Sequence, residues 1–134
     1  MGYGHLYQGR YQSFPVQPGA SLLKVCRYVD RNPLTAGLVE RAEDWRWSSL
    51  WVREQGTAEQ QAVLSAWPTQ RPGDWTKQVN RVITPKEQSR WERSLARSQP
   101  FGDDGWKLET VKALDLEHTV RSEGKNQYAK DDAR

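Results

Sequence analysis

Apolar positions in this chain come in short bursts separated by proline, glycine and charge, and the period changes along it. Residues 10–17, "RYQSFPVQ", alternate: Tyr11, Ser13, Pro15 and Gln17 on one side, Gln12, Phe14 and Val16 on the other. That is the period of a strand, and Pro15 places it at an edge or an end. Ser21 is a helix cap for a segment over 22–32, where Leu22, Cys26 and Val29, with Leu23 beside them, repeat at helical spacing and form the expected core stripe. Pro33 biases Asn32 away from helical geometry, so the helix is expected to stop there, with "PLTAGLV" a separate turn capped by Gly37. "EDWRWSSLW" predicts another short helix with Trp47 and Trp51 one turn apart.

Residues 53–83 are weakly patterned. A helix over 57–66 is expected from "TAEQQAVLSA", followed by the proline-punctuated connector "WPTQRPGDW". Thr84, Pro85 and Glu87 make a strong helix start, and that helix should run to Arg97. "PFGDDGW" breaks it, and a further helix over 104–114 carries Leu108, Val111 and Leu114 as its apolar positions. Residues 121–134 hold almost nothing to bury and are expected to be a disordered tail. The fold class is therefore mainly α with one short N-terminal strand.

Composition narrows the picture. Of 134 residues only 36% are hydrophobic, so the seven Trp, each able to bury about 150–250 Å², must supply much of the core. The net charge of +3 and pI near 9.1 allow a polyanionic partner without identifying one. Cys26 is the single cysteine, which excludes an internal disulfide and suits a reducing compartment. It reads as a buried structural thiol. No apolar run approaches the ~20 residues of a membrane span and no signal peptide opens the chain. No membrane partner and a cytoplasmic location are expected.

Candidate chemistry falls in a few places. Tyr28 and Asn32 are one helical turn apart, with Lys24 and Arg31 on the same side. A tyrosine hydroxyl can attack a phosphodiester if a cation or metal lowers its pKa, and a carboxamide can orient a metal or a water. The same pair also suits a tyrosine packing its ring at a helix end with asparagine as cap. Lys86, Arg90, Arg93 and Arg97 lie on one face of the 84–97 helix, a stripe suited to phosphate contacts or to a solvated face balanced by Glu87 and Glu92. Tyr7, Gln8, Arg10 and Tyr11 could stack on bases and hold a strand, or pack as an ordinary strand. His5 and His118 are far apart, and Asp103 and Asp104 suit a helix cap better than a cation. No Gly-rich phosphate loop occurs, so no nucleotide cofactor is expected.

Four segments together, "GHLYQGRYQSFPVQ", "LLKVCRYVDRNPLTAGLVERAEDWRWSSLW", "WPTQRPGDWTKQVN" and "SQPFGDDGWKLETVKALDLEHTVR", resemble the REP-associated tyrosine transposases, relatives of the single-tyrosine transposases with a His-hydrophobic-His motif. The Tyr-x-x-x-Asn-Pro and Pro-Phe-Gly-Asp-Asp-x-Trp segments carry most of the likeness. The resemblance implies cleavage and rejoining of single-stranded and hairpin DNA through a 5′-phosphotyrosine link, with Tyr28 as nucleophile. It also implies a divalent metal, Mg or Mn, held by two histidines and by Asn32. The family's histidine pair lies upstream of "GHLYQGR", where this chain has only "MGY". The chain is thus expected to be the C-terminal part of such a protein, from a truncated, mis-started or decayed frame, binding no metal and inactive alone. On that reading residues 1–52 are the remnant of an α+β ferredoxin-like catalytic domain and 53–83 a linker. Residues 84–120 are a helical DNA-binding extension, and 121–134 the tail. The alternatives are a non-catalytic DNA-binding module and a decayed remnant.

Overall fold

The structure, a computed structural model, describes residues 13–121. These are mainly helical: α1 (Ala20–Thr35), a 3-10 turn (Ala42–Asp44), α2 (Ser49–Gln55), α3 (Ala58–Val63), α4 (Trp75–Asn80), α5 (Pro85–Arg97), α6 (Asp104–Ala113) and α7 (Glu117–Val120). They form two compact units, one from Pro18 to Thr84 and one joining the chain up to Gln17 with the chain from Pro85 onward.

In the first unit, α1 is longer than expected because it runs straight through Pro33. Proline there removes one hydrogen bond, to the Val29 carbonyl. Three bonds at the helix end offset that loss: Ala36 N–H to the Asn32 carbonyl at 2.9 Å, Gly37 N–H to Leu34 at 3.0 Å and Leu38 N–H to Pro33 at 3.0 Å. The last two form a Schellman end, which needs a left-handed residue; Gly37, at φ 72°, supplies it.

The buried face of α1 is not the expected stripe. Val29 is 54% exposed. The helix is rotated so that Leu23, Cys26 and Leu34 lie against a core of Ala42, Leu50, Trp75 and Val79. Asp30, between them in the helical repeat, is buried too. A carboxylate in a core needs a partner, and the Trp75 indole N–H donates to Asp30 Oδ2 at 2.9 Å. Burial pushes the Asp30 carboxyl above the usual range, against the opposing pull of the Trp75 hydrogen bond, the positive charges of Arg71 and Arg53, and a hydrogen bond from Ser49.

Trp75 and Val79 come from the segment expected to be a linker. Residues 53–83 instead supply half of the buried core through α4, which packs on α1. Trp67 adds an edge-to-face contact with Trp75, centroids 4.9 Å apart. Asn80 ties the 3-10 turn to α4: its Oδ1 accepts from Ala42 N–H at 2.9 Å, and its Nδ2 donates to Glu43 at 2.6 Å and to the Thr76 carbonyl at 2.9 Å. α3 carries a capping box, Thr57 Oγ1 accepting from Gln60 N–H and Gln60 Oε1 accepting from Thr57 N–H. Trp47 precedes α2 rather than pairing with Trp51 on it; it is 78% exposed under the Arg46 guanidinium. Ser48 takes the helix-capping role, accepting from Trp51 N–H at 3.1 Å, which sets the start of α2 after Trp47.

In the second unit, the expected strand reduces, among the described residues, to one parallel bridge between Val16 and Phe101. Gln17 N–H donates to the Phe101 carbonyl and Phe101 N–H to the Pro15 carbonyl, both at 2.9 Å. Phe14 and Phe101 each meet the Trp91 ring edge-to-face at 5.9 Å. Gly102 is the close-approach point: a Cβ there would lie 2.4 Å from Trp106 and 2.8 Å from Gln17. Asp103 caps α6, accepting from Trp106 N–H at 2.8 Å and from Gln17 Nε2 at 2.8 Å. On α6 only Val111 of the three expected apolar positions is buried; Leu108 is 59% exposed. No described helix is long and apolar enough to cross a membrane.

Asp30→Ala should lower stability by about 1–3 kcal/mol, because the Trp75 N–H is left buried without an acceptor. Asp30→Asn keeps an acceptor and removes a buried charge. Since the folded pKa of Asp30 is raised, wild type loses stability as pH rises from the normal aspartate range through that raised value. The Asn variant should lack that loss and match or exceed wild type at neutral pH, as chemical unfolding at several pH values would measure. Separately, Gly37→Ala meets no atom within 4 Å, so its cost is backbone alone, about 1–2 kcal/mol; thermal unfolding would detect it.

Candidate nucleic-acid interface

Tyr28 and Asn32 sit one turn apart on α1, but their surroundings differ. Tyr28 is 5% exposed, whereas Asn32 is exposed. A strand reaching the Tyr28 hydroxyl would have to displace the atoms that cover that side chain. Among the described residues no group of three or more His, Cys, Asp or Glu side chains converges. His118 is exposed on α7; His5 lies outside the described residues.

The arginines of α1 have a defined structural role. α4 is only one and a half turns long, too short to hold itself, and its last carbonyls need donors. Arg27 Nε donates to the Gln78 carbonyl at 2.8 Å, and its Nη2 to the carbonyls of Arg81 and of Val82. Arg31 Nη1 donates to Val79 at 2.8 Å and Arg81 at 3.0 Å. Two cations across a helix C-terminus also meet its negative end. Burial, and then repulsion from Arg27, lower the Arg31 pKa. Arg31, expected to hold phosphate, thus holds α4 against α1. Lys24 is half-buried on the same helix. Tyr7, Gln8, Arg10 and Tyr11 lie outside the described residues.

The stripe on α5 is different. Lys86, Arg90 and Arg93 are exposed and Arg97 is half-buried, all four on one continuous helix. Arg90 Nη2 donates to the Gly102 carbonyl at 3.0 Å, and Arg97 Nη1 to the Arg121 carbonyl at 2.5 Å. A guanidinium carries five N–H donors, so the single contact of Arg90 fixes its side chain and leaves donors over. Among the described residues the ion pairs are Arg41–Glu43 and Arg71–Glu54; Lys86, Arg90 and Arg93 have none there. Glu92, one of the acids that could have balanced the stripe, accepts from Gln88 Nε2 at 2.8 Å instead.

A residue the sequence pattern did not reveal joins this face. Lys107, on α6, donates to Gln99 Oε1 at 3.3 Å. Its pKa is lowered by burial first, then by repulsion from Arg90, with Asp104 pulling the other way and Arg93 adding further repulsion. Arg90 and Lys107 are tied to the same short loop, to Gly102 and to Gln99, and Arg93 lies one turn after Arg90 on α5. Between α5 and α6 the chain turns at Ser98, which is in the left-handed region, φ 54°, with Gln99 N–H returning to the Ser94 carbonyl at 3.2 Å. A serine, unlike a glycine, does not announce such a turn.

No family model matches the chain, and neither a curated protein nor a solved structure does.

Arg31→Ala should leave the Val79 carbonyl without its arginine donor, while Arg27 still serves Arg81, and lower stability by about 1–3 kcal/mol. It should leave any affinity for DNA unchanged once the protein is folded; chemical unfolding together with a binding titration at low temperature would check both halves.

Proposed function

We propose that this chain binds DNA through the α5 face, in the manner of a transposase-like DNA-binding protein. The observation that carries the reading is the row of Lys86, Arg90, Arg93 and Arg97 on one helix, with no carboxylate ion-paired to the first three among the described residues. Such a row follows a phosphate backbone without reading bases. The likeness of "CRYVDRNPL" and "PFGDDGW" to the REP-associated tyrosine transposases favours single-stranded or hairpin DNA as the partner.

The second reading is strand cleavage, with Tyr28 attacking a phosphodiester. Its supporting observation is the one-turn spacing of Tyr28 and Asn32 on a continuous helix. The burial of Tyr28 weighs against it, and binding is the activity assigned. Incubating the chain with a hairpin oligonucleotide and Mg or Mn, then looking for a covalent adduct on a denaturing gel, separates the two. No adduct is expected; an adduct that Tyr28→Phe abolishes would make cleavage the correct reading.

For binding itself, Arg90→Ala combined with Arg93→Ala should weaken affinity for single-stranded DNA regardless of sequence. It should flatten the plot of log K against log salt by about 0.7 for each phosphate that the variant no longer neutralises. Unchanged affinity at both low and high salt would remove the α5 face from the account.

A further inference from the structure

We infer that Lys107 of α6 joins Arg90 and Arg93 of α5 in a three-cation cradle at the α5–α6 corner that grips adjacent backbone phosphates of a nucleic-acid strand; this rests on the DNA-binding reading above.

The corner holds these cations where they would not settle by themselves. Three like charges on an open surface separate, since each side chain is long and free to turn. Two of them are instead tied to one loop, from its two ends. Arg90 Nη2 is bonded to the Gly102 carbonyl at the loop's end. Lys107 Nζ is bonded to Gln99 Oε1 near its start. Gln99 is itself buried and fixed, its Nε2 donating to the Thr119 carbonyl at 3.1 Å. The loop is clamped as well. Pro100 is fully buried, Phe101 bridges to Val16, and the Asp103 backbone N–H donates to Gln17 Oε1 at 2.9 Å.

Lys107 is half-buried and Arg93 exposed, and among the described residues neither forms an ion pair. Asp104 is the acid whose charge acts on Lys107, against the repulsion of the two arginines. The fold thus keeps an excess of positive charge in place. Bound phosphate relieves the repulsion, and preorganised donors bind it without first being ordered. A guanidinium offers a phosphate two parallel hydrogen bonds, and an ammonium acts as a point charge beside it.

The test uses the full chain, with Lys107→Gln, which removes the charge, and Lys107→Arg, which restores it. Thermal unfolding checks that both variants fold. One probe is a hairpin oligonucleotide with a single-stranded arm, titrated over a range of salt. The other is inorganic phosphate alone, followed by NMR at the lysine ammonium signals. Lys107→Gln is expected to weaken oligonucleotide binding about ten-fold, the size of one charge-assisted contact. It should also flatten the salt slope by about 0.7, with Lys107→Arg restoring both. Phosphate should shift the Lys107 signal.

Oligonucleotide binding that Lys107→Gln leaves unchanged, while the Arg90/Arg93 double variant weakens it, would overturn the cradle and leave the DNA reading standing. A phosphate shift at Lys107 in a chain that binds no oligonucleotide would overturn the DNA reading, and with it the strand as the cradle's occupant. If Lys107→Arg does not restore what Lys107→Gln removes, the side chain acts through packing and the cradle is likewise overturned.

Discussion

The hydrogen bond from the Trp75 indole to Asp30 is the contact on which the unit from Pro18 to Thr84 depends. It lies on the seam between α1 and α4, and it decides which way α1 faces. With a carboxylate in the core, the helix must turn so that a buried donor able to satisfy it lies opposite. Leu23, Cys26 and Leu34 then fall inward and Val29 outward. The same rotation carries Arg27 and Arg31 to the end of α4, where they take carbonyls that so short a helix cannot satisfy internally. Asp30, Arg27 and Arg31 lie within about one turn of one another on α1, so a single helical face sets both the middle and the end of α4.

The unit containing α5 and α6 is organised around a loop rather than a buried charge. "PFGDD" packs its Pro100 and Phe101 inward, passes close to Trp106 and Gln17 at Gly102, and starts α6 with Asp103. Each of these residues therefore has a local structural job. The likeness of this segment to a transposase motif is in consequence not by itself a mark of chemistry, because packing alone would require the same residue types.

Helix positions were legible where the sequence carried explicit punctuation. Thr84-Pro85 marks the start of α5 and Asp103 that of α6. The facing of the helices was much less legible. An apolar stripe counts Val29, Leu108 and Leu114 as core and passes over Asp30, because it scores side chains by polarity and cannot foresee a partner from residue 75. Residues 53–83 read as a linker for a related reason. α4 is six residues long, its core contribution is only Trp75 and Val79, and its stability comes from arginines about fifty positions away. The Pro33 expectation failed because a Schellman end one turn later compensates the missing bond.

The candidate site shows the same division, and there it bears on function. Arg31 on α1 was expected from sequence to hold phosphate, as were Arg90 and Arg93 on α5, and Arg27 lies one turn before Arg31. Their neighbours separate them. The first pair faces a helix C-terminus, whose carbonyls compete for the same N–H groups that a phosphate would take. Between them Arg27 and Arg31 make five such bonds. The second pair faces a loop that offers it the Gly102 carbonyl, and it has Lys107 beside it where a carboxylate would have neutralised it. Basic residues that complete a fold and basic residues that keep donors to spare have the same letters and closely similar helical spacing. What distinguishes them is how many backbone acceptors lie within reach, and on that measure it is the α5–α6 corner, not α1, that has donors left to give.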